Sequence, residues 1–329
     1  MNRDDFENLT AWATQQWGQA KLGDARRNTR AIRLGSAIAA EPEASLPTQT
    51  HAWSELKAAY RLLNEQDVTH LRLSEPHWQA TRAQAVQPHQ QAVLFVQDTS
   101  ELDFSAHRAT KGLGHIGDTK GRGFLLHSCL AISPQAENPE VFGLVAQQVW
   151  TRQQVYKGKE TRTQRRHRRS ECDVWAEIVE AIGPAPSPNS GTIWVSVGDR
   201  GSDVFSYLRR SRALGWHCLV RICQDRSIQT TTGESGKLKQ WARTLLPQAQ
   251  KALVLRGRDG LPKRTVQLQV AWAQVSLSPP RHGPEHKQST VTGWVIRCWE
   301  ASPRTDALEW ILFSTVPVDQ TQSALAQVD

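Results

Sequence analysis

Hydrophobic and polar positions change rhythm twice along the chain. Up to about residue 75 the spacing is helical: Ala25–Ala40 is rich in Ala, Leu, Ile and Arg, offers Ile32, Leu34 and Ile38 for packing, and exits at Glu41-Pro42. A second helix is predicted over 50–63, before Asn64. From about residue 92 short apolar runs take over. VLFVQ over 93–97 has the texture of a buried strand ended by Asp98-Thr99-Ser100, and 124–132 and 141–149 are further strands across a turn-rich linker. A helix over 172–182, a strand over 193–197 ending at Gly198-Asp199, a helix over 203–214 and a strand over 217–223 complete the order β-β-β-α-β-α-β. Residues 226–305 alternate in strand fashion (Val266, Leu268, Val270, Trp272) between Gly, Pro and Thr, which predicts a β-rich insertion. An apolar run over 308–316 returns to the core, and a helix is predicted from Asp319 onward. The predicted organisation is 1–75 helical, 76–225 the first part of an α/β core, 226–305 the insertion and 306–329 the return.

Composition narrows the class. The chain has 329 residues, enough for two or three domains, and its mean hydropathy is −0.52. No apolar run is long enough to cross a bilayer, and MNRDDFENLT has no apolar signal-peptide core, so a cytoplasmic, nucleoid-associated location without a membrane partner is expected. Five cysteines at scattered positions do not form a disulfide framework.

Charge matters once it is located. The net charge is +8, and residues 151–170 alone hold eight Lys/Arg against one Glu. A smaller cluster lies near the N-terminus, where Arg26, Arg30 and Arg33 at i, i+4 and i+7 share one helical face. Localised positive charge fits a polyanion such as nucleic acid; a solvated loop and an ordinary charged helix exterior fit the same letters.

Three motifs lead nowhere. Gly112, Gly114 and Gly117 match G-x-G-x-x-G, but polar residues precede them and strand-like ones follow, whereas a dinucleotide turn joins a strand to a helix. Cys218 and Cys223, five apart on a strand, point to opposite faces and cannot share a metal. Most of the 13 tryptophans sit inside apolar strand patterns; Trp310, opening WILFSTV, fits either core packing or stacking on an exposed base.

Asp98 and Asp199 each follow a strand of buried type. If those strands are neighbours, the carboxylates converge and repel, and the pair invites a divalent cation. Mg²⁺ takes hard oxygen ligands and keeps water or phosphate oxygens, and a pair of ions can drive in-line phosphodiester displacement. The same letters also fit helix caps, Asp199 before Arg200-Gly201-Ser202 in particular.

The segments LGDARRNTR (22–30), LFVQDTSELDF (94–104), KGLGHIGDTKGRGFLLHS (111–128) and SVGDRGSDVFSYL (196–208) together resemble the IS4 group of bacterial insertion-sequence transposases, the Tn5-like branch. The similarity runs in order from about residue 6 to the end of the chain. The resemblance implies a small helical DNA-binding domain that grips the transposon terminal inverted repeats, and an α/β core of ribonuclease-H-like type, a mixed sheet interrupted by a β-rich insertion. It implies Asp-Asp-Glu metal chemistry with Mg²⁺, Mn²⁺ being able to substitute. It also implies double-stranded DNA as partner and, in the full-length family, a homodimer on DNA that cuts and rejoins strands. Carried over by position, Asp98 and Asp199 match the first two acids. Arg26, Arg27 and Arg30 match basic positions of the DNA-binding helix. Arg122 and Arg221 match DNA-contacting positions around the active site, and Trp310 matches the tryptophan that helps hold the hairpin end.

The third acid of the family lies in a Tyr-Arg-Glu-Lys signature that alignment puts roughly nine residues beyond Asp329. Glu300, Asp306, Glu309 and Asp319 lack its context. The resemblance therefore implies a chain short of its catalytic Glu and of the dimerisation region. The expected behaviour is loss of cutting, with DNA-end binding that inhibits an intact transposase, or a nonfunctional remnant, as the alternatives.

Overall fold

The computed structural model describes residues 3–87, 91–118, 120–134, 139–152, 161, 169–256, 263–282, 285–302, 304 and 307–328, with side chains from residue 7. Most of the basic stretch 151–170 lies outside the described residues, as does Asp306. The chain divides into two compact units, Met1–Gln84 with Gly143–Val145, and Ala85–Phe142 with Ala146–Asp329.

The first unit is helical: α1 (Arg3–Trp17), α2 (Ala25–Ala40), α3 (Leu46–Thr50), α4 (Trp53–Leu63) and α5 (His70–Ala85). Helix α2 has the bounds that its composition predicts. Asp24 caps it by accepting from the Arg26 amide at 2.8 Å. Its inner face meets Trp17 so closely that a Cβ on Gly35 would lie 2.0 Å from the indole. Ala20, Leu22, Ala31, Leu62 and Val68 form the unit's core. The predicted helix over 50–63 is divided in two, because His51 adopts a left-handed φ of 55° between α3 and α4. Helix α5 runs through residue 75, where the composition suggested a boundary, and the helical unit continues to Gln84.

The second unit is a mixed α/β structure. Its strands are β1 (Ala92–Asp103), β2 (Gly114–Ile116), β3 (Gly121–Ser133), β4 (Glu140–Trp150), β5 (Ile193–Gly198), β6 (His217–Arg221), β7 (Ser227–Thr230), β8 (Ser235–Lys237), β9 (Ala249–Leu255), β10 (Arg264–Leu277), β11 (Val291–Glu300) and β12 (Glu309–Ser314). Helices α6 (Val174–Ile182), α7 (Phe205–Ala213), α8 (Leu238–Ala242) and α9 (Thr321–Ala326) accompany them. One hydrogen-bonded path runs β2-β3-β1-β5-β6-β12-β11-β10-β7-β8, with β4 on β3 and β9 on β10. Strand β1 lies antiparallel to β3 and parallel to β5, and β5 is parallel to β6. Residues 226–305 are β-rich as predicted, and their strands extend the same sheet through the antiparallel β11–β12 pair.

Strand β1 does not end at Asp98. It continues to Asp103 because β3 still pairs with it there (Asp98↔Ser128, Asp103↔Gly123), whereas its pairing with β5 stops at Val96↔Val197. The face built from alternate residues is packed by aromatic rings: Phe95 stands 4.7 Å from Trp194 and 4.5 Å from Trp216, ring centre to centre. A second apolar cluster (Val266, Leu268, Val270, Ile296, Cys298) lies under the far strands, with Trp310 packed against it. The glycine motif at 112–117 forms β2 and its turn, a hairpin edge with β3, so the dinucleotide geometry is absent there. Cys218 is buried in β6 with its thiol pushed up to about 12 by burial, and Cys223 lies beyond the strand end.

Candidate functional site

Asp98 lies on β1, Asp199 just past the end of β5 and Arg221 at the end of β6, three strands that neighbour one another in that order. Pairing Val96 with Val197 and carrying the parallel register on by two residues sets Asp98 opposite Asp199. Pairing Gly198 with Val220 and carrying it on by one sets Asp199 opposite Arg221. Both aspartates are exposed.

Each carboxylate has its own support. Asp98 remains within β1, held from one side by β3. Asp199 begins the turn after β5 and caps it, its Oδ1 accepting from the Gly201 amide at 2.7 Å while Ser202 Oγ donates to its carbonyl at 2.6 Å. The helix-cap reading of Asp199 is therefore correct as far as one oxygen goes; Oδ2 has no protein donor among the described residues. The turn lies flush on the core, since a Cβ on Gly198 would come within 2.6 Å of both Ser202 and Trp175. Arg221 is pushed below its usual pKa by burial first and by the like charge of Arg200 second, while Asp199 pushes it back up. Asp199, Arg200 and Arg221 thus feel one another's charge at the ends of β5 and β6.

Beneath these groups runs a buried chain of hydrogen bonds. Thr99 Oγ1 lies 2.7 Å from His127 Nδ1, and His127 Nε2 lies 2.9 Å from Gln97 Oε1. Gln97 Nε2 donates to Ser196 Oγ at 2.7 Å, as does the Tyr207 hydroxyl, also at 2.7 Å. The amide oxygen of Gln97 only accepts, so His127 carries its proton on Nε2 and accepts from Thr99 on Nδ1. Burial pushes His127 down to about 4, opposed by Asp199. A neutral imidazole, edge-on to Trp175 at 4.7 Å, is what this chain requires. It ties β1, β3 and β5 together immediately beside both aspartates.

The other nominated residues are placed differently. Arg122 pairs with His115 on the β2–β3 hairpin and donates to the Thr110 carbonyl at 3.2 Å. It is six residues along β3 from Ser128, roughly 20 Å at strand rise, so it does not join the aspartate level. Trp310 is half-buried on the second core, which favours its packing reading. In the helical unit, Arg26 is exposed but bound to Asp24 at 2.7 Å, and Arg27 is mostly buried, held by Glu65, Asp67 and the Leu22 carbonyl. Arg30 is exposed without a hydrogen bond or ion pair among the described residues.

Sequence reasoning did not nominate Arg200 or His127. Arg200 stands beside Asp199 in GDRGSD and was within reach of the motif. The role of His127 depends on the β1–β3 register, for which the letters carry no signal. Among the described residues, no set of three His, Cys, Asp or Glu side chains forms a metal-holding group. Glu300 is bound to Arg264 at 2.6 and 3.0 Å, and Glu309 to Arg243 and Arg297, so neither is free to act as a ligand.

Residues 9–68 match the family model described as transposase DNA-binding. The matched stretch reaches from within α1 through α4. It supports a transposase and DNA as a partner. No helix of the described residues is long and apolar enough to cross a membrane.

Proposed function

We propose that this chain is a DNA transposase of cut-and-paste type, related to the IS4 group, whose helical unit binds transposon ends and whose α/β unit is of ribonuclease-H-like type. The observation that carries this is that Asp98 and Asp199 each lie two residues past the last pair of the adjacent parallel strands β1 and β5, in a chain whose N-terminal region matches a transposase DNA-binding model. The strand path β4-β3-β1-β5-β6, with β5 and β6 parallel to β1, supports the fold reading.

Two exposed carboxylates with one oxygen of Asp199 unengaged fit Mg²⁺, which is commonly held by one or two carboxylates together with water and phosphate oxygens. Mn²⁺ offers the same oxygen chemistry. When bound, the ion supplies the charge neutralisation that phosphodiester hydrolysis and strand transfer need. Asp98 and Asp199 would hold it. Arg221 and Arg200 would orient the DNA phosphate from the neighbouring strand and turn, and the His127 chain would keep the two strands level. Terminal inverted repeats are the proposed DNA, and a homodimer on DNA the proposed working form.

The match of residues 9–68 to a DNA-binding model also fits a second reading for this chain: it binds DNA ends without cutting them, and so competes with an intact transposase. Calorimetric titration of Mn²⁺ into the chain–duplex complex tests the site. Binding heat that disappears in both Asp98→Ala and Asp199→Ala is expected; heat retained in both overturns the carboxylate assignment. Failure to retain any duplex overturns the DNA reading. Robust Mg²⁺-dependent cutting, abolished by Asp98→Ala, overturns the second reading and upholds the first.

A further inference from the structure

The helical unit contains a cleft of about 410 Å³ whose wall is drawn from four helices: Thr10 of α1, Leu34 and Ala37 of α2, Gln49 of α3 and Ala58 of α4. Its lining is mostly apolar. Small-molecule sites have this size and this make-up, an apolar hollow with a few placed polar groups.

The polar side chains inside have committed their hydrogens. Ser36, Gln49 and Thr50 all line the cleft and are each about nine-tenths buried or more. Ser36 Oγ donates to the Ile32 carbonyl at 2.9 Å, Thr50 Oγ1 to the Leu46 carbonyl at 3.0 Å, and Gln49 Nε2 to the Glu41 carbonyl at 2.8 Å. Gln49 Oε1 accepts from no group among the described residues. The interior therefore offers an acceptor and no free donor, and an occupant gains by bringing an O–H or N–H of its own.

The exposed residues of the lining form a cationic rim. Arg30, Arg33, His51 and Glu55 belong to it. Arg33 lies 3.8 Å from Glu55, and His51 Nε2 lies 3.7 Å from Glu41 Oε1. Both rim carboxylates are thus matched, whereas Arg30 makes no hydrogen bond or ion pair among the described residues. An uncompensated guanidinium beside an apolar hollow complements an anion that carries an apolar body.

We infer that this cleft binds a small amphipathic carboxylate, with its apolar body against Leu34, Ala37 and Ala58, its anionic group on Arg30 and an O–H or N–H donor toward Gln49, and that its occupancy loosens the hold on DNA. An anion on Arg30 cancels a charge that a phosphate would otherwise meet. By linkage, ligand and duplex then weaken each other's binding by the same factor. The coupling to DNA rests on the DNA-binding part of the proposed function; the site itself does not.

The test is calorimetric titration of the full chain with indoleacetate, which has an aromatic body, an N–H donor and a carboxylate. Naphthylacetate, which lacks the donor, and tryptophol, which lacks the charge, are titrated beside it. One-to-one binding of indoleacetate is expected, weaker by about fivefold for naphthylacetate and by about tenfold for tryptophol or in Arg30→Ala. Ala58→Leu, which fills the cleft, is expected to abolish binding; thermal melts show whether it folds, and Ala37→Leu replaces it if it does not. No binding heat at about 1 mM compound, heat retained in the filled variant, or equal affinity for indoleacetate and tryptophol overturns the site. Duplex retention is then measured with and without saturating indoleacetate. A loss of about tenfold in the wild type, and none in the filled variant, is expected. Retention unchanged by the compound in the wild type overturns the coupling and leaves the proposed function standing, whereas no retention at all overturns both.

Discussion

Asp98 and Asp199 each lie two residues beyond Val96↔Val197, the last backbone pair between the parallel strands β1 and β5, Asp98 still within its strand and Asp199 in the turn after its own. Like charges brought close together repel until a cation joins them. Yet the two are anchored differently, Asp98 by the β3 ladder and Asp199 by its own turn.

That difference gives the first prediction. Asp199→Ala removes a cap and should cost about 1 kcal/mol in urea unfolding. Asp98→Asn, which deletes a charge from an exposed position and breaks no backbone bond, should be neutral or slightly stabilising without metal. Added Mg²⁺ should raise the melting temperature of the wild type and of neither variant, since only a chain that binds the ion gains from it.

The second prediction concerns pH. Buried His127 is held down to about 4, whereas the unfolded chain takes up a proton near 6.5. Between those values the unfolded state binds more protons, so stability falls as pH drops from about 6.5 toward 4 and the contribution of His127 changes no further below that. His77 and His217 are lowered by burial and act in the same direction. Urea midpoints at pH 7.5, 5.5 and 4.5 should decline, and His127→Gln, which does not titrate, should decline less steeply. Equal slopes in the two proteins would remove His127 from the account.

Much of this was legible in the letters, and the reasons are local. An Ala-rich run without Pro that exits at Glu41-Pro42 suffices to bound α2, and short apolar runs suffice to find β1, β5 and β6. What escaped depends on partners distant in sequence. Asp98-Thr99-Ser100 has the composition of a turn, but β3 supplies hydrogen bonds that keep it a strand. His51 breaks a helix although it is not a glycine, and nothing in its neighbours announces a positive φ. The arginines shared a helical face as their spacing required, yet spacing does not show that Glu65 and Asp67 close back on Arg27.

Arg27 and Arg30 should separate cleanly in experiment. Arg27→Ala loses, among other contacts, a 2.8 Å bond to the Leu22 carbonyl that ties the start of α2 to the preceding loop, worth about 1 kcal/mol of stability. Its salt slope for DNA should match the wild type. Arg30→Ala should leave the urea midpoint unchanged and lower the slope by about one. A reversal of the two patterns would return Arg27 to the DNA surface.

The largest single loss should come from Asp203, which no motif reading nominated. Its side chain is fully buried, with Oδ1 accepting from Arg226 Nε at 2.9 Å and Oδ2 from the amides of Cys223 and Gln224 at 2.8 and 2.6 Å. One carboxylate therefore closes the loop that follows β6 onto the turn that follows β5. Asp203→Ala would leave a mostly buried guanidinium without its partner and two amides without acceptors, a cost of about 3–5 kcal/mol. Removing both members, in Asp203→Ala with Arg226→Met, should recover part of that loss, because no uncompensated charge then remains. Arg200 lies on one of the segments this carboxylate joins and Arg221 ends the strand that leads into the other, so the single variant should weaken phosphate binding even at temperatures where it stays folded. Duplex retention measured well below the melting point separates that local effect from unfolding, and unchanged retention there would confine Asp203 to stability.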